Sequence, residues 1–585
     1  MKIKSIIFKS ILIIFLLIKT INISIAQNNE LFNQNKTLTY EQIIQEYKNL
    51  DKKYENAKLI EAGISDAGKP IHLFIISDDK EFNPEQIKKD NKRILLINNG
   101  IHPGESCGID ASIKFSEDLL SGNLNQKKYL SNTVICIIPV YNVGGCINRG
   151  PYSRMNQIGP EQHGFRGNAK NLDLNRDFIK SDAENSKTFA KIFHIWQPDV
   201  FVDTHTSNGA DYQYVITLIS TNTDKFHKPL ASYVDNNILP FLYSKMIDYK
   251  YEMTPYVNPV NEIPDSGIVG FFDSPRYASG YTSLFNTISF ITETHMLKPY
   301  KDRVLSTYYF ILAINEFLNK NNKQIADLKK DADEQTSKKH EFTINWKLDK
   351  TQIDSLLFKG FAAKYKKSNI TGFQRLYYDK TEPFEKNIAF YKHYKPEKTI
   401  KKPEYYIISQ AWQNAIDRLK LNNVKLKTLK KDTSIMVSAF IIDDFKTKEA
   451  YENHYLHYEV KTHTDKQLIE FYKGDYIVET NQKENNYIIN TLEPDATDSY
   501  FVWNFFDAVL QQKEWFSAYV FEETAEKILE EHPDIKEELE KAKLNDKNLA
   551  ENHYWQLLFI YRRSKYFEKS FMRYPVYRIE EKIEL

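Results

Sequence analysis

From Arg93 to Lys320 the sequence alternates between short apolar, β-branched runs and longer stretches with apolar residues at helical spacing, and this alternation limits the possible folds more than any other feature. The extended runs are RILLINN, TVICIIPVYN, DVFVDTH, YQYVITLI and TISFITETH. Between and after them come GIDASIKFSEDLLSG, DAENSKTFAKIFHIW, PLASYVDNNILPFLYSKM and DRVLSTYYFILAINEFLNK. The pattern predicts an α/β fold with a mixed, largely parallel central sheet flanked by helices. Open sheets of this kind form their sites in loops beyond the carboxyl ends of strands. The residues that follow the apolar runs are therefore the ones to read for chemistry.

At 585 residues the chain is too long for a single core. Ahead of the alternating region, Thr39 followed by Gln42 and an apolar helical repeat predicts a capped helix. AKLIEAGISDAG and KPIHLFIISDD then predict a hairpin around an Asp-Ala-Gly turn. The lysine-rich, glycine-free stretch at 319–341 reads as a helix tail and linker. Beyond it, SIMVSAFIIDDF, NHYLHYEVKTH, KQLIEFYKGDYIVET and NNYIINTLEP are short, aromatic and β-branched, which suggests a smaller β-rich domain. The stretch from Asp498 to Lys543 reads as helices with acidic outer faces. The expected organisation is a signal peptide over 1–26, an α/β domain over 38–322, a linker over 323–342, and an extension over 343–585 that is β-rich and then helical.

Charge is balanced to a net of +1, which gives no reason to expect nucleic acid or an acidic membrane surface as partner. Function must then reside in local sites, and because lysine far outnumbers arginine, each arginine is informative. The first residues carry Lys2 and Lys4, an apolar run from Ile11 to Ile18, and a Ser24-Ile25-Ala26 ending, the pattern of a secretory signal. The run stops at Lys19, short of the roughly 20 residues that span a bilayer. The mature chain is expected to be exported, periplasmic or extracellular, with no transmembrane segment. Residues 27–40 are too short for a folded inhibitory prosegment, so activity without large-scale processing is expected. Three cysteines, Cys107, Cys136 and Cys146, are too few for a disulfide framework. Cys136 and Cys146 could pair, while Cys107 reads as a small buried side chain at a helix start.

His102 and Glu105 follow the strand RILLINN directly, in the turn GIHPGES. Alone they are weak evidence, since 14 histidines and abundant glutamate make an H-x-x-E expected by chance. Their placement at a strand end lets an imidazole and a carboxylate face one ion. His205, at the end of DVFVDTH, supplies a third ligand in the same setting. Two histidines and a carboxylate with a fourth position for water form a catalytic zinc site. Asp203 reads as a partner that orients His205. Water at such a site needs a base, and Glu293, a charge at the end of the apolar run TISFITETH, is the candidate. His295 is a weaker ligand candidate because three ligands are already available. Arg166 and Arg176, close together in HGFRGNAKNLDLNRDF, suit planar recognition of a carboxylate or oxyanion.

HPGE, FRGNAKNLDLNRDF, DTHTSNG and FITETH, in that order, resemble the zinc metallocarboxypeptidases of the carboxypeptidase A type over roughly residues 38–322. The resemblance implies that His102, Glu105 and His205 bind one zinc ion and that Glu293 is the general acid/base. It also implies that Arg166 stabilises the oxyanion, with Arg154 as a second candidate, and that Asn175 and Arg176 hold a substrate's terminal carboxylate. RYASGY resembles the family's tyrosine-containing loop, with Tyr277 chosen over Tyr281. The expected substrates are C-termini of peptides or proteins. The extension resembles only the long extensions of some secreted bacterial members, and no activity is carried over to it. Two other readings stay open to the sequence: a zinc deacylase of N-acyl amino acids of the aspartoacylase type, and a non-catalytic peptide- or glycan-binding protein. The preferred C-terminal residue, a cell-wall substrate and the oligomeric state are not set by the sequence.

Overall fold

Thr39 opens the first long helix, Tyr40–Lys53, through a reciprocal pair: its hydroxyl accepts from Gln42 N, and Gln42 Oε1 accepts from Thr39 N. The computed structural model describes residues 31–583, so the expected signal peptide over 1–26 lies outside the described residues. Nine strands follow in the α/β half: β1 Ala57–Ile64, β2 Pro70–Ile76, β3 Arg93–Asn98, β4 Thr133–Ile138, β5 Val200–Ser207, β6 Ile216–Ser220, β7 Met253–Pro255, β8 Ile268–Val269 and β9 Ile288–His295. All but β8 form one sheet in the order β1-β2-β4-β3-β5-β9-β6-β7. The core strands β4, β3, β5 and β9 are mutually parallel. The β1–β2 hairpin joins antiparallel on one side, and β6 runs antiparallel to β9 on the other.

Helices cover both faces of this sheet, and the register says why. Phe201 is paired with Ser289, and Val202 with Phe290, so Phe201 and Phe290 point to opposite faces. Phe201 meets Phe189 of the helix Glu184–Trp196, and Phe290 meets Phe310 of the helix Tyr300–Lys320. All of β3, β4 and β5 is buried, as expected of apolar runs with no polar alternation. The chain leaves β3 toward β4 on one side, while β5 lies on the other. That reversal opens a crevice at the carboxyl ends of β3 and β5.

The segment expected as a linker, 323–342, is helical over most of its length, as its reading as a helix tail allows. Asn322–Lys338 is a helix with Ile325, Ala332 and Thr336 buried, and Lys329 Nζ donates to Phe285 O and Thr287 Oγ1. An apolar residue roughly every fourth position supplies the stripe that holds it to the domain. The extension holds β10 Glu341–Leu348, β11 Asp354–Lys367, β12 Gln374–Tyr391, β13 Tyr394–Lys401, β14 Tyr405–Ile408, β15 Leu426–Thr428, β16 Thr433–Thr447, β17 His457–Phe471, β18 Tyr476–Glu479 and β19 Val576–Ile579. Six of these form a sheet in the order β15-β18-β14-β19-β16-β17. NNYIINTLEP, expected among the strands, is the helix Asn485–Leu492. Its apolar residues, Tyr487, Ile488, Ile489 and Leu492, form too short a run for periodicity to distinguish a buried helix from a buried strand. The helices Ala518–Glu531, Pro533–Asn545 and His553–Arg563 follow.

The two halves share one hydrophobic core. Tyr281 and Phe285 of the α/β half pack against Tyr487 of the extension. Strand β8 pairs in parallel with the end of β12, Ile268 opposite Phe390. Arg276 donates through Nε and its backbone N–H to Asp498, whose side chain is fully buried. The three cysteines are free and buried, and Cys136 and Cys146 do not pair. Among the described residues no helix is long and apolar enough to cross a membrane.

Candidate active site

Gly100 stands just beyond β3 at φ +66°, a backbone state that glycine enters without a Cβ penalty. It turns the chain so that His102 and Glu105 fall beside the end of β5. A Cβ on Gly104 would lie 2.5 Å from Arg154 Cδ, so a larger residue there would push away the arginine that reaches Glu105. His205 comes from β5, and Glu293 is its register partner on β9. Two neighbouring parallel strands thus present an imidazole and a carboxyl side by side.

His102, Glu105 and His205 are all buried, and their ligand atoms lie within 4.8 Å of one another. His102 Nδ1 is 3.3 Å from Glu105 Oε1, and His205 Nδ1 is 3.1 Å from Glu105 Oε2. The far nitrogen of each ring meets a carboxylate: His102 Nε2 is 2.9 Å from Asp173 Oδ1, and His205 Nε2 is 2.9 Å from Asp203 Oδ2. Asp203 also accepts from Asn98 Nδ2 at 3.0 Å. Histidine metal ligands are held in this way, with the second ring nitrogen on a carboxylate. The donor set fits one zinc ion, with two imidazole nitrogens and a carboxylate converging and a fourth side open to a cavity.

The charge balance favours a cation at this point. Burial would raise the Glu105 carboxyl, but Arg154 and His102 hold it well below the usual carboxylate range. Burial opposes a charged His205, yet Asp203 and Glu105 hold its proton affinity well above normal. The Glu293 carboxyl is pushed up to about 7, chiefly by burial and further by Glu105, against the pull of His205, His102 and Arg154.

These residues line a cavity of about 320 Å³ together with Arg154, Arg166, Asn175, Arg176 and Tyr277. Asp173 organises the arginine side. It caps the short turn Leu174–Arg176 by accepting from Asn175 N, and it accepts from Arg166 Nε at 2.9 Å and Nη2 at 2.8 Å. Arg166 reaches on toward the histidine side, with Nη1 at 3.4 Å from His102 Nδ1. All three edges of Arg154 are engaged, with Gln157, Glu105 and Thr206 O. Arg176 lies over the Tyr277 ring, 4.6 Å from its centroid. The rest of the wall combines the polar Thr206, Ser207 and Asn208 with an apolar part formed by Ile219, Tyr256, Phe271 and Ile291.

Tyr281 is fully buried away from this cavity, its hydroxyl donating to Asn422 Oδ1. His295 turns toward Ala210 O and Tyr212, outside the cluster. Cys107 opens the helix Cys107–Leu120 and is buried among Thr206, Thr294 and Thr307. Sequence reasoning missed Asp173, which sits three residues before Arg176. It also missed two extension residues at the edge of this turn, Tyr451 and Glu452.

A family model described as zinc carboxypeptidase matches residues 43–262. That span contains His102, Glu105, Arg166, Asn175, Arg176 and His205, and ends before Tyr277 and Glu293. No curated protein matches the chain. Similar solved structures include carboxypeptidase A from Helicoverpa armigera, 15% identical over 50% of this chain and 75% of that one, with a TM-score of 0.38. Others are the metallo-carboxypeptidases from Burkholderia cenocepacia (15% identical, 48% and 70% covered, TM-score 0.37) and Pseudomonas aeruginosa (13% identical, 49% and 70% covered, TM-score 0.36).

Proposed function

We propose that this chain, whose residues 43–262 match the zinc carboxypeptidase family model, releases the last residue of peptides by attack of water on the terminal peptide bond, Glu293 acting as general base and then as proton donor. The observation that carries this reading is one cavity lined by a His–Glu–His cluster, a carboxyl of raised proton affinity, and the Asn175–Arg176 pair. Zinc held by His102, Glu105 and His205 would polarise the scissile carbonyl and lower the pKa of water. Glu293 takes the water's proton and later passes it to the leaving amine, a shuttle suited to a group that titrates near neutrality. Arg166 meets the oxyanion, its Nε and Nη2 tethered to Asp173 while Nη1 is directed at the histidine side. Arg154, with every edge engaged, serves instead to hold Glu105. Asn175 and Arg176 bind the substrate's free carboxylate, and Tyr277 covers it. The apolar wall of Ile219, Tyr256, Phe271 and Ile291 supports an apolar or aromatic last residue. Export of the mature chain belongs to the same proposal.

The deciding experiment is a peptide panel varied at its last residue, as free acids and as amides, with and without a chelator, run beside N-acyl amino acids. Chelator-sensitive release of apolar C-terminal residues is expected. Amidation should lower kcat/KM by about 100-fold, as for a lost charge-assisted contact. Turnover of N-acyl amino acids alone would identify a deacylase, and no turnover at saturating zinc would leave only binding. Arg166→Ala should lose about 10²–10³ in kcat, the usual effect of one oxyanion donor, with zinc content unchanged. Wild-type kcat in that variant would transfer the oxyanion role to Arg154.

A further inference from the structure

The turn that carries Asn175 and Arg176 is gripped by the extension. Tyr451, Glu452, Asn453 and His454 form a tight reversal, closed by Tyr451 N donating to His454 O at 2.7 Å and His454 N donating to Tyr451 O at 3.0 Å. Glu452 and Asn453 stand at φ +50° and +68°. Two consecutive left-handed residues make the type I′ geometry, where asparagine and glycine are at home and glutamate is strained. Such strain persists where the surroundings over-determine it, commonly at functional sites.

The surroundings here are the catalytic loop. Glu452 Oε2 accepts from the backbone N–H of Asp173 at 2.7 Å, and Tyr451 Oη accepts from Arg176 Nε at 3.1 Å. His454 Nε2 lies 2.7 Å from Asp182 Oδ2. Behind the turn, the Tyr451 ring stacks on the buried Trp503, and Arg276, held by Asp498, lies over both rings. The reversal is thus backed by a rigid aromatic and ionic support and points its polar groups at the anion site.

Arg176 is then fixed on three sides. Nε donates to Tyr451, Nη1 donates to Asn175 O at 2.9 Å, and its plane lies on Tyr277. Its Nη2 has no hydrogen-bond partner among the described residues. A guanidinium held this way presents a set edge to an incoming carboxylate and loses little freedom on binding. We propose that the Tyr451–His454 turn is a working part of the carboxylate subsite: Tyr451 positions the guanidinium of Arg176, and Glu452 positions the backbone that carries Asn175 and Arg176. The proposal rests on the carboxypeptidase reading and gives the extension a role in substrate recognition within it.

The test uses the full-length zinc enzyme and a free-acid peptide with its amide. Tyr451→Phe keeps the ring that stacks on Trp503 and deletes only the hydroxyl. It should raise KM for the free acid about tenfold, the lower end for a hydrogen bond made by a charged group, with kcat within twofold and KM for the amide unmoved. Glu452→Gly suits the left-handed backbone, so its thermal midpoint should hold or rise, yet KM for the free acid should rise; Glu452→Gln should restore it. A merely structural role would couple KM to stability, which Glu452→Gly separates. Wild-type KM in Tyr451→Phe and Glu452→Gly, beside a normal preference for acid over amide, would overturn this proposal alone. Equal turnover of acid and amide by the wild-type enzyme would remove Arg176 as anchor, and both readings with it.

Discussion

Glu293→Gln is expected to cost at least about 10³-fold in kcat while zinc content and KM for a free-acid peptide stay near wild type. The amide is nearly the same size and keeps an acceptor oxygen, so the cavity wall formed by β9 is preserved. What disappears is the ability to take and return a proton, an effect of about 10²–10⁴ in general acid–base catalysis. The pH dependence separates this from a packing defect. Only the carboxylate form can act as base, so kcat/KM must rise with pH as Glu293 loses its proton. Burial and Glu105 place that loss near 7 in the protein alone, and an adjacent dication favours the carboxylate and draws the limb lower. In Glu293→Gln the residual activity should lose this limb. Full turnover in the variant, or an unaltered acid limb, would assign the base elsewhere.

Asp173→Ala should be the most damaging change among the residues that touch neither substrate nor metal. One carboxylate orients His102, tethers Arg166 by two bonds, and caps the turn of Asn175 and Arg176. Burial works against its charge, but His102, Arg166 and Arg176 keep it ionised far below the normal range. Loss of a carboxylate behind a histidine ligand typically weakens metal affinity 10–100-fold, so a competition titration with a chelator should register that shift. At saturating zinc a second deficit should remain in kcat/KM, because Arg166 loses the tether that aims it. Asp173→Asn keeps the acceptor for Asn175 N and should fall between the two. Wild-type kcat/KM in Asp173→Ala once zinc is restored would show that the tether contributes nothing to turnover.

The His102–Glu105–His205 cluster was legible because its members stand at or just beyond the ends of apolar strands. His102 and Glu105 follow β3, His205 ends β5, and Glu293 sits opposite it on β9, so a reader who orders the strands in parallel already has the ligands converging. The Arg166–Arg176 segment was legible for a different reason, arginine being scarce in a lysine-rich chain. Asp173 was hidden by its setting, a carboxylate among asparagines in a loop whose geometry depends on contacts with His102 and Arg166. The ribbon of β11 and β12 gave no signal, since much of both strands is solvent-exposed or only partly buried, with lysines and glutamates interrupting any alternation. In the helix Asn485–Leu492 the apolar residues are Tyr487, Ile488, Ile489 and Leu492, a run too short to show the period that separates helix from strand. The Tyr451 turn carries Glu-Asn at its centre where Asn-Gly is the recognisable signal, and contacts distant in sequence, with Asp173, Arg176, Asp182 and Trp503, hold it.

The pairing of Ile268 with Phe390, two residues of β8 laid against the end of β12, has a genetic consequence. The segment between β8 and β9 carries Phe271 and Tyr277, so the wall of the cavity inherits its position from a strand encoded more than a hundred residues later. A lesion in the extension that loosens this seam should lower activity with the metal cluster intact, and a screen for weakened alleles would recover changes far from the cavity in sequence.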